Sequence, residues 1–468
     1  MIKKTLKEIE IMSQGKGLKE EYENILIEGV STDSRTIKKN QLFVPLIGEF
    51  FNAHEFIENA IENGAVASLW SKNETIPDID FPFILVEDTL VALQQLAKNY
   101  RENLNIKIVG ITGSNGKTST KDILEALLST QYKTQKTMGN LNNHIGVPLS
   151  ILSLEEDTEI AVIEMGTGDF GEMALLSSIV QPNVAMITNI GDAHLEWFIT
   201  LENVAIEKLD IINDLDSKGL FVYLGDDPIL KEKIKDLKIE QNILKYGTGE
   251  NNDYICELIS LEENGLYFKL KSPIEKEFFL PLLGEHNIYN ATGAILVARY
   301  FGIPIENIQY GLDHIDQTGS RNELIKANGF SILNDSYKSN PNSLRAALDT
   351  LYNMKQFSQK IVVLGDMQGL GEKEIEMHEE IGREIDPSEI EYIITIGPLS
   401  KSLAKASKEN FSENNVISCD TNEEVMESLK KIIEPNAVIL VKASRAFELE
   451  NIVERLQKEV KLTNVQKD

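Results

Sequence analysis

Residues 110–120, GITGSNGKTST, have the composition of a loop that binds phosphate. Gly113 and Gly116 would let the backbone approach phosphate oxygens. Lys117 could neutralise the phosphate charge, and Thr118 could ligate Mg²⁺. The general pattern places a glycine five residues before Gly116, but that position is Ile111. The spacing alone therefore leaves two interpretations open, a shortened nucleotide-binding loop or a chance turn.

The sequence on either side of the loop favours a nucleotide site. An apolar strand is predicted at 106–112, and a helix is predicted at 119–129 with its leucines on one face. A helix that begins just after a glycine-rich turn points backbone amides and its positive dipole end at the loop, where they attract an anion. A chance turn would not need this order of strand, loop and helix.

Polar residues at the ends of two later predicted strands could hold a metal ion. Glu164 lies in the strand at 160–166, while Asn189 and His194 lie at and beyond the end of the strand at 184–190. Ligands of open α/β sheets bind at such carboxyl ends, and carboxylate and imidazole groups both ligate metals. Taken alone, His194 is more typical of a solvated loop, and Lys208, on a predicted helix, is more typical of a surface.

The whole chain has the composition of a soluble globular protein with several domains. Its 468 residues exceed one ordinary core, and its net charge of −28 argues against a general binder of nucleic acid or of anionic membranes. Neither a signal peptide nor a membrane-spanning apolar run is evident. Cys256 and Cys419 are expected to be reduced thiols. We therefore expect a cytoplasmic protein that acts on small molecules.

The alternation of strand and helix patterns predicts an α/β protein with three domains. A small mixed α/β domain is predicted at 1–84, a central domain with a phosphate-binding loop and a mostly parallel sheet at 85–316, and a doubly wound, Rossmann-like domain at 317–468. In the first domain the predicted elements are strands at 41–48 and 81–88 and a helix at 53–65. In the central domain they are helices at 89–103 and 287–302, a further strand at 220–226 and a hairpin at 254–272 around Asn264-Gly265. In the third domain they are strands at 330–336, 360–367, 391–397, 415–419 and 437–444.

Several motifs, in this order along the chain, resemble those of the Mur ligases. They are TGSNGKT, EMG, TNIGDAHLE, the downstream Lys208, GEHNIYNA at 284–291, and an arginine followed by NDS. Mur ligases are ATP-dependent, ADP-forming amide ligases of cell-wall synthesis, and their loop has the shortened spacing seen here. The resemblance implies a uridine-nucleotide domain, a central ATP-binding domain, and a third domain that binds the incoming amino acid or dipeptide. It also implies two Mg²⁺ sites and, as is usual in the family, a monomer.

Further segments are similar to those of the family member that adds D-alanyl-D-alanine to UDP-N-acetylmuramoyl-tripeptide through an acyl phosphate. The segments are 31–56, 136–150, 334–348, 364–378 and 442–450. The chain departs from that pattern at four places, which leaves its specificity open. Lys338 stands where the family usually has Asn, Gln368-Gly369 replaces a pair that includes an acidic residue, Asn52-Ala53 replaces Asp-Gly, and Trp197-Phe198 follows His194 closely.

The resemblance also implies roles for individual residues. Lys117, Glu164, His194, Lys208 and Arg321 would be catalytic, and the metal ligands would be Thr118, Glu164, His194 and Lys208, the last after carbamylation by CO₂. ATP would be bound by Gly113, Asn115, Gly116, Lys117, Thr118, Ser119, Asn189, Asn287, Arg321 and Asp335. The other substrates would be bound by Ser34, Arg35, Asn140, Asn142, Asn143, His144, Asn340, Asp366 and Met367. His378 is either a surface residue or part of the dipeptide site.

Three alternatives remain at this stage. One is another amide ligase on the same scaffold, with a different amino acid or acceptor, such as a folylpolyglutamate-type or third-residue ligase. Another is a non-catalytic nucleotide-binding paralogue, against which the intact set of candidate catalytic residues argues. The third is a dinucleotide dehydrogenase built on the last domain, but no G-x-G-x-x-G opens a helix there.

Overall fold

The computed structural model describes residues 1–192 and 195–460. The first part of the chain contains β1 (Lys3–Thr5), α1 (Leu6–Met12), β2 (Leu26–Glu28), β3 (Val30–Ser31), β4 (Gln41–Phe43), α2 (Ile57–Glu62), β5 (Ala65–Ser71) and β6 (Phe83–Val86), with 3₁₀ helices at Glu20–Tyr22 and Ala53–Phe56. Strands β1 and β2 form an antiparallel pair, and β3-β4-β5-β6 form a parallel sheet in that order. This is the small mixed α/β unit that the sequence predicts.

Two predicted elements of this first unit are shorter than expected. The strand predicted at 41–48 ends at Phe43, since Pro45 has no N–H to donate to a sheet and the amide of Gly48 closes a turn onto the Phe51 carbonyl at 2.8 Å. The helix predicted at 53–65 begins as the 3₁₀ helix, and only Ile57–Glu62 is α-helical.

The central part of the chain is built on a nine-stranded sheet. Its strands are β7 (Lys107–Thr112), β8 (Thr134–Lys136), β9 (Ile160–Glu164), β10 (Val184–Ile187), β11 (Leu220–Leu224), β12 (Asn242–Gly247), β13 (Tyr254–Glu262), β14 (Gly265–Ser272) and β15 (Lys276–Leu280). Its helices are α3 (Thr89–Asn103), α4 (Lys117–Leu128), α5 (Gly146–Ser153), α6 (Glu172–Val180), α7 (Leu195–Phe198), α8 (Leu201–Leu209), α9 (Pro228–Ile234), α10 (Asn287–Tyr300) and α11 (Ile305–Leu312), with a 3₁₀ helix at Asp210–Ile212.

The order of the central sheet is β15-β14-β13-β12-β11-β10-β7-β9-β8. It is parallel from β8 to β13, and the predicted hairpin adds β14 antiparallel to β13, followed by β15. Strand β7 therefore lies between β10 and β9. The loop after β7, Glu164 at the end of β9 and Asn189 after β10 meet at one edge of the sheet.

Apolar side chains fix the helices to the two faces of this sheet. Leu96 of α3, Ile151 of α5 and Leu176 of α6 pack on one face, in a core that continues into the first unit. Ile123 of α4 and Ile295 of α10 pack on the other face. Because α4 is buried along one side, its N-terminus is held rigidly below the loop that precedes it.

The third part of the chain is a six-stranded sheet of order β16-β17-β21-β18-β19-β20, parallel except for the β16–β17 pair. Its strands are β16 (Glu323–Lys326), β17 (Ser331–Asn334), β18 (Gln359–Gly365), β19 (Tyr392–Ile396), β20 (Val416–Cys419) and β21 (Ala437–Lys442). Its helices are α12 (Pro341–Asn353), α13 (Glu374–Glu384), α14 (Ser400–Ser407), α15 (Asn422–Ile432) and α16 (Glu450–Glu459), with 3₁₀ helices at Gly371–Lys373, Glu413–Asn415 and Arg445–Phe447. Helices lie on both faces, as in the predicted doubly wound arrangement.

Hydrogen bonds around the loop attach the third part of the chain to the central part. We call the six-stranded sheet of the third part the third sheet. The Asn340 amide donates to Asn115 Oδ1 at 2.9 Å, and the Thr318 amide nitrogen donates to Asp122 at 2.8 Å. The Glu196 amide nitrogen donates to the Gly369 carbonyl at 3.1 Å. This hydrogen bond between Glu196 and Gly369, together with the packing of Gly371 against Glu196, is called the interdomain contact. No helix within the described ranges has the length and apolarity to cross a membrane.

Candidate active site

A cleft of about 700 Å³ opens where the loop, the strand ends and the third sheet meet. Fifteen of the residues predicted for the site line it: Gly113, Asn115, Gly116, Lys117, Thr118, Ser119, Asn142, Asn143, His144, Glu164, Asn189, Lys208, Asn287, Arg321 and Asp335. The predicted metal ligand His194 lies outside the described residues. The structure therefore brings together residues as far apart in the sequence as Gly113 and Asp335.

Two glycines give the loop a conformation that other residues cannot adopt. Gly113 has φ +146° and Gly116 has φ +81°. A Cβ atom at Gly113 would lie 1.9 Å from Thr188 Oγ1, and one at Gly116 would lie 2.4 Å from Asn290 Oδ1. Both the dihedral angles and the close neighbours demand glycine, so the loop can curve tightly around a ligand.

We expect Gly113→Ala to weaken ATP binding by more than about tenfold, because the added methyl group would displace the loop and such strain costs about 1–3 kcal/mol. Gly302→Ala is the matched control, since Gly302 also has a positive φ, +88°, but a Cβ atom added there would meet no other atom within 4 Å. Calorimetric titration with ATP would compare the variants. Equal affinity in the Gly113 variant and the wild type would contradict a nucleotide-binding loop.

Asn189 braces the loop from the neighbouring strand end. Its Oδ1 accepts a hydrogen bond from the Asn115 amide nitrogen, and its Nδ2 donates to the Asn115 carbonyl, both at 3.0 Å. The Ser114 amide nitrogen also donates to the Asn189 carbonyl at 3.0 Å. Asn189 thus holds the loop in shape through all of its amide group, a role that the sequence did not suggest.

Lys117 is folded back over the loop that it follows. Its ammonium group donates to the Gly113 carbonyl at 2.6 Å and to the Ser114 carbonyl at 3.4 Å. Desolvation lowers the pKa of Lys117, nearby Glu164 opposes this shift, and Arg321 adds to it. The ammonium is thus fixed at the point where the α4 N-terminus directs its amides, as a phosphate-binding lysine must be.

Thr118 and Glu164 form an oxygen-rich pair beside the lysine. The Thr118 hydroxyl donates to Glu164 Oε2 at 2.8 Å, and the Asn142 amide donates to Oε1 at 2.7 Å. Burial alone would raise the pKa of Glu164, but Lys117, Arg321 and Lys121 together outweigh it, so the pKa is lowered and the group stays a carboxylate. A hydroxyl and a carboxylate are hard oxygen ligands, so this pair fits Mg²⁺ bound together with phosphate oxygens.

Lys208 lies on α8 with only 3% of its surface exposed. Desolvation, followed by repulsion from Lys117 and Lys338, lowers its pKa well below the usual value, although Glu207 opposes the shift. The sequence alone suggested an ordinary surface lysine at this position, and that interpretation is wrong. Burial of this kind favours the neutral amine, which is the form that reacts with CO₂.

The third sheet contributes a cationic wall to the cleft. The Arg321 guanidinium lies over the Tyr337 ring at 4.1 Å, and its buried Nε has no hydrogen-bond partner among the described residues. An unpaired buried guanidinium nitrogen suits an anionic ligand such as a phosphate group. Lys338 lines the same wall, where desolvation, Lys117 and Arg321 lower its pKa to about 7.

Two other residues predicted to contact ATP already form hydrogen bonds to groups of the protein. Asp335 accepts a hydrogen bond from the buried Lys442 ammonium at 2.5 Å, and Asn287 donates to the Leu283 carbonyl at 2.7 Å. Both residues still line the cleft. Their contacts to the ribose and to the adenine or phosphates therefore stay predictions.

The predicted substrate residues divide into two groups. Asn142, Asn143 and His144 line the cleft, where His144 lies 3.2 Å from Glu172. The others lie outside its lining: Ser34, Arg35, Asn140, Asn340, Asp366 and Met367. Arg35 is exposed in the first unit and paired with Asp33 at 2.7 Å, and Asn340 caps α12. Their contacts to substrates stay predictions.

His378 is not on the helix surface, so that interpretation is wrong. It is fully buried, its Nε2 accepts a hydrogen bond from the Met367 amide nitrogen at 3.0 Å, and its Nδ1 lies 2.6 Å from the Glu374 carbonyl. Burial lowers its pKa, which favours a neutral ring that donates through Nδ1. Asp366 is similarly buried and accepts from the Ser400 amide nitrogen at 2.7 Å.

Several residues of the cleft were missed by sequence reasoning. They are His286, Tyr289, Asn290, Asp227, Tyr337 and Lys442. Three of these lie inside GEHNIYNA, from which only Asn287 was predicted to bind ATP. Lys442 lies in the segment 442–450, which begins KASR. The sequence contained both motifs, but a motif does not indicate which of its side chains line the cleft.

Comparison with known proteins shows where the chain belongs. Three models of the Mur ligase family match it: the catalytic domain at 26–101, the middle domain at 111–298 and the glutamate ligase domain at 320–445. A UDP-N-acetylmuramoyl-tripeptide--D-alanyl-D-alanine ligase of Bacillus subtilis (strain 168) is 43% identical over 457 residues, which cover 97% of this chain and 99% of the relative.

Solved structures agree with the sequence match. MurF from Acinetobacter baumannii has a TM-score of 0.87 at 28% identity, covering 98% of this chain and 100% of the other. MurF ligase from Thermotoga maritima, solved in complex with ADP, has a TM-score of 0.79 at 28% identity and covers 92% and 97% of the two chains. The cleft thus lies in a protein whose three consecutive parts each match a domain of one family, and this chain belongs to the Mur ligase family, in its MurF branch.

Proposed function

We propose that this chain adds D-alanyl-D-alanine to UDP-N-acetylmuramoyl-tripeptide with cleavage of ATP to ADP and phosphate, in cytoplasmic synthesis of peptidoglycan precursors, and that it does so as a monomer. The observation that carries the proposal is the 43% identity to the Bacillus subtilis ligase of that name over nearly the full length of both chains. The arrangement of the cleft supports it, because a cationic, glycine-lined site beside an oxygen-rich pair is suited to MgATP.

The first step transfers a phosphoryl group. A carboxylate oxygen of the tripeptide attacks the terminal phosphorus of ATP, the bond to the bridging oxygen breaks, and ADP leaves with that electron pair. Lys117 and the amides at the start of α4 hold the phosphates, and Arg321 faces the group in transfer. Such a transfer depends on positioning and on neutralising charge, which these residues provide. Mg²⁺ held by Thr118 and Glu164, with a second ion at His194 and carbamylated Lys208, would supply further neutralisation.

The second step forms the amide. The free amine of the dipeptide attacks the carbonyl carbon of the acyl phosphate, loses a proton, and phosphate leaves. Water would compete with the amine, so the cleft must be shielded while the acyl phosphate exists. The third sheet and its flanking segments, joined to the loop through Asn340 and Asn115, contribute Arg321, Asp335 and Lys338 to the cleft lining and so help to enclose it.

Some residues in the third part of the chain differ from the family pattern given above, and not all of them line the cleft. Gln368 and Gly369 are outside its lining, where the Gln368 amide nitrogen donates to Ser444 Oγ at 2.9 Å and Gly369 takes part in the interdomain contact. Lys338, in contrast, lines the cleft. A paralogue with another amine or acceptor therefore remains the second candidate function.

The proposal is tested by measuring phosphate release while one component is omitted at a time from ATP, Mg²⁺, the UDP-linked tripeptide and D-alanyl-D-alanine. We expect release only with all four, and a product heavier than the tripeptide by one dipeptide unit in mass spectrometry. Release that needs the tripeptide but accepts another amine would support the paralogue. No release in the complete mixture would contradict a ligase.

A further inference from the structure

Lys338 is one of several basic side chains that line the cleft, together with Lys117, Lys208, Arg321 and Lys442. It lies between β17 and α12, in the segment that the third sheet contributes to the cleft. Its electrostatic neighbours include Lys117 and Arg321, the two side chains expected to hold the phosphates of ATP, as well as Glu164. In the family pattern that the sequence resembles, this position is Asn, whereas this chain carries Lys.

The backbone of Lys338 is held firmly. Lys442, only 1% exposed at its side chain, donates to the Lys338 carbonyl at 2.8 Å and to Asp335 at 2.5 Å. Just beyond it, Asn340 is bound to Asn115 in the loop. The segment that carries Lys338 is therefore tied both to its own sheet and to the phosphate-binding loop.

The acidic residues that line the described part of the cleft are largely engaged by other groups. Asp335 is paired with Lys442, and Asp227 accepts the amides of Ile190, Ile229 and Leu230. Glu172 accepts the Gly168 amide and lies beside His144. Glu164 accepts from Thr118 and Asn142 and is the acidic neighbour of Lys117, Arg321 and Lys338, so one carboxylate lies among three basic groups and an anionic ligand is favoured here.

We propose that Lys338 binds the terminal phosphate of ATP and stays with the phosphoryl group while it moves to the tripeptide carboxylate. This rests on the proposed function, since it assumes that ATP occupies the cleft. Because Lys338 belongs to the segment between β17 and α12 and Lys117 to the start of α4, the phosphate would be held by two different parts of the chain. An asparagine could donate a hydrogen bond there but could not neutralise charge.

The test measures affinities for ATP, ADP and AMP by calorimetry in Lys338→Met, Lys338→Asn and Lys338→Arg variants. A charge-assisted contact to the terminal phosphate predicts that the Met and Asn variants lose about 10- to 100-fold in ATP affinity, with AMP affinity unchanged and the Arg variant in between. Lys360→Met is the matched control, because Lys360 is a buried lysine of the same sheet that pairs with Glu389 outside the cleft. It should leave ATP affinity unchanged.

Two results would overturn the proposal: unchanged ATP affinity in the Met variant, or equal losses for ATP and AMP, which would indicate a structural role. The measurement separates this proposal from the proposed function. A wild-type protein that binds ATP through Lys338 but joins no dipeptide would refute the ligase alone. A wild-type protein that binds no ATP would refute both.

Discussion

Replacing Lys117 with methionine is expected to lower kcat/KM for ATP by at least about a thousandfold, which corresponds to about 4 kcal/mol of transition-state stabilisation. The methionine keeps the length and apolar stem of the side chain but removes the ammonium that now bonds the Gly113 and Ser114 carbonyls. No other described cation lies within the loop itself, so its charge on the phosphates cannot be replaced locally.

The measurement is steady-state ADP formation together with the melting temperature of the variant. Lys133→Met is the control, because Lys133 is an exposed lysine of the same central domain that pairs with Glu155 and Asp157 away from the cleft. We expect the control to turn over ATP normally. Activity of the Lys117 variant within about tenfold of wild type would contradict its role in phosphate binding.

The second large effect is expected at Lys208. Its burial and low pKa favour the neutral amine, which can attack CO₂ and lose a proton to give a carbamate. A carbamate converts a side chain that cannot ligate a cation into one with carboxylate-like oxygens. Lys208→Met removes this possibility, so we expect turnover to fall by about a hundredfold or more, the usual range for losing a group that acts at the reaction centre.

Carbon-13 NMR with labelled bicarbonate provides a measurement independent of activity. Wild-type protein should show a carbamate resonance that is absent in Lys208→Met. The same resonance should persist in Lys360→Met, which removes another buried lysine. A wild-type protein without the resonance, and with full activity in CO₂-free buffer, would show that Lys208 acts as a plain lysine.

Sequence patterns predicted the elements that have strong apolar periodicity. Helix α3 runs Thr89–Asn103 as predicted, and each predicted strand of the central and third sheets overlaps an observed one. The short, partly exposed strands β8, β12, β15 and β16 escaped prediction, since their residues are stabilised by neighbouring strands. Tertiary pairing, and not local preference, forms such strands.

The candidate site was predictable where residue type limits the chemistry. A glycine pair, a lysine and a threonine at fixed spacing indicate phosphate, and the structure gathers them with Glu164. Burial could not be predicted: Lys208 and His378 both look like surface residues in the sequence, yet both are enclosed. Nor could the sequence show that Asn189 and Asp335 already have partners, because those partners, Asn115 and Lys442, lie in distant parts of the chain.

The interdomain contact also places an exposed tryptophan where its fluorescence can report on the position of the third sheet. The chain has two tryptophans. Trp70 is 2% exposed and packs edge-on against His54 and Phe83, whereas Trp197 is 55% exposed and directly follows Glu196, which bonds to Gly369. A water-soluble quencher therefore reaches the emission of Trp197 and leaves that of Trp70 as a constant background. Any ligand that moves the third sheet away from the central one will change the first signal alone, without a dye or a label.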